Sequence, residues 1–229
     1  MKIKALTLYT SKLSEQRIFF SDVFGFDILD ESRSNFSIQV GHTKLTFKAS
    51  ETEFIYHYCF LIPSNKLNAS IKWLQSRLEV ITYEDGRIIE PGPKDWNADS
   101  VYFLDPAGNI LEFIVRYDLK NHNSKRSFDI SQLLCINEIG IPSNDLVKLN
   151  SVLETEMGSK LWTGNLDRFG ANGTQNGLFL LVNYETKKTW FPTDIEPTPS
   201  LFHGIFEIND VHYDLTYRNE VIKTYRGTL

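Results

Sequence analysis

The sequence predicts an α+β fold in which a β-α-β-β-β unit repeats and its strands curl into a mixed-sheet cup. Three observations predict it. Strand-like stretches begin near residues 3, 54 and 133, the first with the period-two alternation of a half-buried strand. Each is followed by apolar residues at the three- and four-residue spacing of one helix face. The 229-residue chain is 41% hydrophobic and 13% aromatic, so it has enough apolar mass for a sizeable core.

In the first unit, residues 3–9 alternate as a strand. Ser14 can cap a helix carrying Ile18, Phe19, Val23 and Phe24 on one side, and Gly25 is a natural stop. Short strands are expected at 26–29 and 36–40, and a Gly41-His42 turn leads into another at 44–48. In the second unit a strand at 54–62 ends at Pro63-Ser64-Asn65. Leu67, Ile71, Leu74 and Leu78 then form one helix face, with strand candidates at 80–83 and 88–89. Residues 101–104 and 110–116 make a hairpin around Asp105-Pro106-Ala107-Gly108-Asn109, where Pro fixes one backbone angle and Gly-Asn tolerates a positive one.

The polar stretch after Tyr117 reads as a linker. The expected organisation is therefore 1–117 as two units sharing one cup, 118–132 as linker, and 133–229 as a third unit with a truncated fourth. In the third unit a strand at 133–141 meets Pro142-Ser143-Asn144-Asp145. A helix follows with Leu146, Leu149, Val152 and Leu153 inward. Leu161-Trp162, the turn Gly170-Ala171-Asn172-Gly173 and the apolar run 178–182 follow. Residues 201–208 open a fourth copy, and 21 residues beyond them are too few to complete it.

Lys and Arg number 24 against 29 Asp and Glu, a net charge of −5, which argues against a nucleic-acid surface. No apolar run approaches the roughly 18 residues of a membrane span. Met1-Lys2-Ile3-Lys4 begins a strand pattern rather than a signal peptide. Cys59 and Cys135 sit in apolar runs and read as reduced thiols of a cytoplasmic protein.

The stretch Tyr102-Phe103-Leu104-Asp105-Pro106-Ala107-Gly108-Asn109-Ile110-Leu111-Glu112-Phe113 resembles the last hairpin of a module of the vicinal oxygen chelate superfamily. That superfamily includes glyoxalase I, extradiol dioxygenases, fosfomycin-resistance enzymes and bleomycin-binding proteins. The resemblance implies a divalent metal (Zn, Fe, Mn or Ni) held by a His or Gln on the first strand and a Glu on the last strand of each module. His57, in Tyr56-His57-Tyr58, and Glu112, in Leu111-Glu112-Phe113, match those positions. Ala5 and Thr46 stand where the first unit should supply ligands, so two of the four usual ligands remain. Ala5, Thr7, Thr46, Cys59 and Trp96 are then expected to line the substrate pocket. Glu138 and His203 occupy first-strand positions in the third and fourth units, and are weaker candidates for a second cup.

The same residues allow other readings. His57 and Glu112 can simply hydrogen-bond to each other, Cys59 can be a small buried hydrophobe, and Trp96 can pin its own loop. There is no C-x-x-C, H-E-x-x-H, G-x-S-x-G or Walker loop. The expectation is a glyoxalase- or dioxygenase-like pocket protein binding a small molecule, as a monomer or homodimer. If it is an enzyme, it is a metal-dependent lyase, isomerase or dioxygenase. The alternatives are a metal-free ligand-sequestering protein of the bleomycin-resistance type and a degenerate assembly domain.

Overall fold

The computed structural model describes residues 1–227. The β-α-β-β-β order occurs three times. The first unit runs β1 (Lys2–Thr10), α1 (Leu13–Ile18), β2 (Asp30–Glu31), β3 (Asn35–Val40) and β4 (Thr43–Ala49). The second runs β5 (His57–Leu61), α2 (Leu67–Gln75), β6 (Glu90–Pro91), β7 (Ala98–Leu104) and β8 (Ile110–Arg116). The third runs β9 (Cys135–Ser143), α3 (Leu146–Met157), β10 (Leu161–Gly164), β11 (Phe169–Thr174) and β12 (Gly177–Asn183). The fourth keeps only β13 (Phe202–Ile208), β14 (Val211–Arg218) and β15 (Val221–Arg226). No helix among the described residues is long and apolar enough to cross a membrane.

Local chemistry sets most boundaries. Asp145 caps α3 by accepting from the Lys148 amide at 2.9 Å. Ser14 does not cap α1. It lies inside the helix, Lys12 holds the cap position, and no side chain bonds the helix start there. Gly25 ends the first helical segment at φ +82°. In the β7–β8 turn the Asp105 carboxylate accepts from the amides of Ala107 and Asn109, and Gly108 takes φ +83°. The strand expected at 80–83 is reduced to one bridge, Val80 to Phe103. The ladder strand of that region is Glu90–Pro91, next to the expected 88–89.

The pairing of the units is not the expected one. One sheet runs β15-β14-β13-β1-β4-β3-β2, joining the first unit to the fourth. The other runs β10-β11-β12-β9-β5-β8-β7-β6, joining the second to the third. The expectation that the first two units share a cup is therefore corrected. Every residue of β5 and β9 is buried, so both strands must lie mid-sheet and covered on both faces. They meet that demand by pairing with each other, antiparallel. β1 alternates, with Leu6 and Leu8 buried and Ala5 and Thr7 half-buried, and it takes β13 as its second neighbour. Three strands complete that sheet, so the missing fourth helix does not prevent pairing.

One core joins the sheets. Leu6, Phe47, Tyr58, Phe60, Phe113, Phe179 and Phe206 belong to it, and the rings of Phe179 and Phe206 lie 4.7 Å apart across it. The opposite face of the second sheet is the cup. It carries His57, Cys59 and Leu61 from β5, and Glu112 and Ile114 from β8. The Cys59–Glu112 and Cys59–Glu138 register positions align these strands. Opposite Cys59 and Phe60 the register of β9 slips, leaving Asn137 as an extra residue. A β-bulge of this kind re-aims neighbouring side chains, and here both Asn137 and Glu138 reach Arg116 at the end of β8.

Candidate functional site

Three buried side chains converge in the cup. His57, Glu112 and Glu138 each place one ligand atom within 4.8 Å of the others. The His57 Nδ1 lies 3.1 Å from the Ile110 carbonyl oxygen. A carbonyl only accepts, so that contact puts a proton on Nδ1 and turns Nε2 toward Glu112 Oε2 at 3.4 Å. In the neutral ring, Nε2 and a carboxylate oxygen would face each other as two acceptors. A proton on Nε2, a proton on the Glu112 carboxyl or a cation between them resolves that arrangement.

The two carboxylates are held differently. Ser100, on the same face of β7, donates its hydroxyl to Glu112 Oε1. Glu138 is ion-paired with Arg116, and both side chains are almost wholly buried. Arg116 Nε donates to Asn137 Oδ1 at 2.9 Å, and its guanidinium lies against both Trp96 and Trp162, 5.2 and 5.8 Å from the ring centres. Burial first, and the Glu112 charge second, push the Glu138 carboxyl upward, opposed by Arg116 and His57.

A cavity of about 300 Å³ opens over this cluster. Trp96, Tyr102, Phe169, Trp190 and Phe191 supply aromatic wall, with Ile114 and Leu180. Trp190 comes from the loop between β12 and β13, and its ring lies 5.3 Å from that of His57. It seats against Gly140 of β9, where an added Cβ would stand 2.4 Å from the indole. The rings of Trp96 and Trp162 lie 5.3 Å apart, tilted by 46°.

Among the expected site residues, His57, Glu112 and Trp96 line one cavity, and Glu138 joins them rather than a second cup. His203 does not face Glu138. It lies on β13 in the other sheet and bonds Asp214 at 2.9 Å. Ala5, Thr7 and Thr46 do not line the cavity either. They belong to the first sheet, where Thr7 stands beside Thr46 and His203, and Thr46 bonds Ser37 at 3.0 Å. All these departures follow from the exchanged pairing of units. Cys59 lies in register with Glu112 and Glu138 but is wholly buried and does not reach the cavity. Burial, reinforced by the two carboxylates, drives its pKa well up, which suppresses the thiolate.

Arg116, Lys187 and Trp190 were not anticipated. Arg116 carried a signal, since a charge closing the apolar run Ile110–Arg116 needs a buried partner. Lys187 and Trp190 lie in a loop, where no periodicity points to a face.

No protein-family model matches the sequence, and no curated protein matches it. Solved structures do. A "putative dioxygenase" from Bacillus subtilis subsp. subtilis str. 168 aligns at TM-score 0.61 and 14% identity, over 99% of this chain and 84% of that one. Glyoxalase I from Zea mays aligns at TM-score 0.52 and 14% identity, over 82% of this chain and 69% of that one. At these identities the likeness is one of fold. The chain therefore has the repeated-module cup of glyoxalase I and its dioxygenase-like neighbours, the vicinal oxygen chelate fold that the hairpin around Asp105 resembles.

Proposed function

We propose that the cup of the second and third units binds a small organic molecule beside one divalent metal ion held by His57, Glu112 and Glu138. The observation that carries this is the confrontation of His57 Nε2 with Glu112 Oε2, in a buried group with Glu138 whose ligand atoms all lie within 4.8 Å of one another. One imidazole and two carboxylates suit a borderline or hard ion such as Zn, Fe, Mn or Ni. The donor set fits: His57 is oriented by Ile110, Glu112 by Ser100, and Glu138 keeps its second oxygen free of Arg116. When bound, the ion would act as a Lewis acid toward a substrate oxygen.

The chain's own residues do the rest. Arg116 opposes protonation of Glu138 and holds it toward the cluster. Trp96, Phe169 and Trp190 offer flat apolar surfaces to a substrate. The reaction would be of the lyase, isomerase or dioxygenase kind. Both cysteines are free and buried, which supports a reducing compartment.

Metal content after incubation with each ion and dialysis tests the proposal. Wild type should keep about one ion per chain, and His57→Ala, Glu112→Gln and Glu138→Gln should each lose it, since three protein ligands are the usual number for a catalytic site. Wild type retaining none would overturn it. A second reading draws on the Arg116–Glu138 pair, in which the guanidinium already occupies one Glu138 oxygen. There the cup is a metal-free binding site with His57 protonated, and chelation leaves ligand affinity unchanged.

A further inference from the structure

Five ionisable groups of the acid, histidine and lysine types, apart from phenols, line the cavity, and four have an opposite partner. Glu90 meets Arg87 at 3.1 Å, His57 and Glu112 meet each other, and Glu138 meets Arg116. Lys187 is the exception: among the described residues no carboxylate comes within ion-pair distance of it. Its ammonium donates only to the Thr189 carbonyl at 2.6 Å, a contact that leaves the charge uncompensated.

The surroundings strengthen that charge deficit. Burial first, and Arg168 second, lower the Lys187 pKa to about 8. The amine is therefore still mostly protonated at neutral pH. Trp190, the neighbouring aromatic, has an unused donor of its own. The indole Nε1 of Trp190 is buried without an acceptor, a state that costs free energy unless a ligand or water relieves it. The ammonium lies 5.6 Å from the Trp190 ring, and that ring lies 5.3 Å from His57. One wall thus carries a positive end at Lys187 and leads past an aromatic surface to the acidic cluster.

We infer that the molecule bound in this cup is an aryl carboxylic acid, its carboxylate ion-paired with Lys187, its ring against Trp190, and its far end at His57, Glu112 and Glu138. The inference deepens the proposed function and rests on it for the role of the far end. A carboxylate compensates the Lys187 ammonium, which a neutral group of the same shape does less well. The acids of the cup would repel the same carboxylate, so the polarity of the wall fixes the direction in which the molecule enters.

The test uses chelator-treated full-length protein and a matched pair of probes, 3-phenylpropanoate and 3-phenylpropanamide, followed by tryptophan fluorescence and calorimetry. Wild type should prefer the acid by about tenfold, the scale of one partly buried charge-assisted hydrogen bond. Lys187→Met should abolish the preference, and Lys187→Arg, which keeps the charge, should restore most of it. Equal binding of acid and amide, survival of the preference in Lys187→Met, or no saturation by the acid below about 10 mM would each overturn the inference. Melting temperature checks that the variants are folded. Metal retention by wild type is scored separately. A protein that keeps the acid preference but holds no metal refutes the metal reading alone, and the converse refutes only the carboxylate contact.

Discussion

Replacing Glu138 by Gln should change how the stability of the metal-free protein varies with pH. Burial and the neighbouring Glu112 push the Glu138 carboxyl from an ordinary 4.5 up to about 7. A raised acid holds its proton more tightly in the folded than in the unfolded chain. Its contribution is therefore fully present below about pH 4.5 and is lost as pH rises through about 7. The slope cannot exceed about 1.4 kcal/mol per pH unit, and the whole window gives at most about 3.5 kcal/mol. His42, lowered by burial, and Asp105, raised by it, also shape the profile, but both are common to the two proteins and cancel in the difference. Urea unfolding with chelator at pH 5, 6 and 7 measures it. Wild type should lose about 2–3 kcal/mol relative to Glu138→Gln between pH 5 and 7. A saturating divalent ion should reverse the trend for wild type only, because its ligands must be deprotonated and its stabilisation grows with occupancy. Profiles that run parallel, within about 0.5 kcal/mol, would refute the charge argument.

Arg116→Met should cost about 2–3 kcal/mol at pH 9, where wild-type Glu138, raised to about 7, is ionised and the variant must protonate it or leave it buried without its cation. The loss should shrink at pH 5, where Glu138 can protonate, and denaturant titration at both pH values checks this. Gly140→Ala should cost about 1–3 kcal/mol and red-shift tryptophan emission, since the new methyl drives Trp190 off β9. A Trp190→Leu, Gly140→Ala double variant should recover most of the stability loss. Cys59 and Cys135 should resist a thiol reagent such as dithionitrobenzoate in the native protein and react in urea, since both are buried and their pKa values are pushed up.

The repeat was legible because each element advertises itself locally. Asp145 caps a helix, Gly25 stops one, and the Asp105–Asn109 turn bonds its own backbone. His57 and Glu112 could be placed for the same reason, since strand alternation fixes which residues share a face. The choice of partner strand was not legible. β1 and β5 both offer an edge, and local pattern does not say which edge of which unit it meets. That single ambiguity put Ala5, Thr7 and Thr46 opposite His57 and sent Glu138 to the wrong cup. The bulge at Asn137, which brings Glu138 round to Arg116, depends on register across two strands and leaves no mark in one.

The exchanged pairing also sets an order of completion. Lys2 of β1 meets Glu207 of β13 at a sequence separation of 205 residues. A growing chain that has just made β12 already contains every strand of the cup sheet. The first sheet then still lacks three of its seven strands. Until β13 emerges, β1 presents an unpaired row of amides and carbonyls, the kind of edge that recruits other chains. Synthesis of this protein thus carries its greatest hazard of self-association not at the ligand cup but on the opposite sheet. A nonsense mutation just before β13 would leave His57, Glu112, Glu138, Lys187 and Trp190 in the chain and the molecule prone to aggregate.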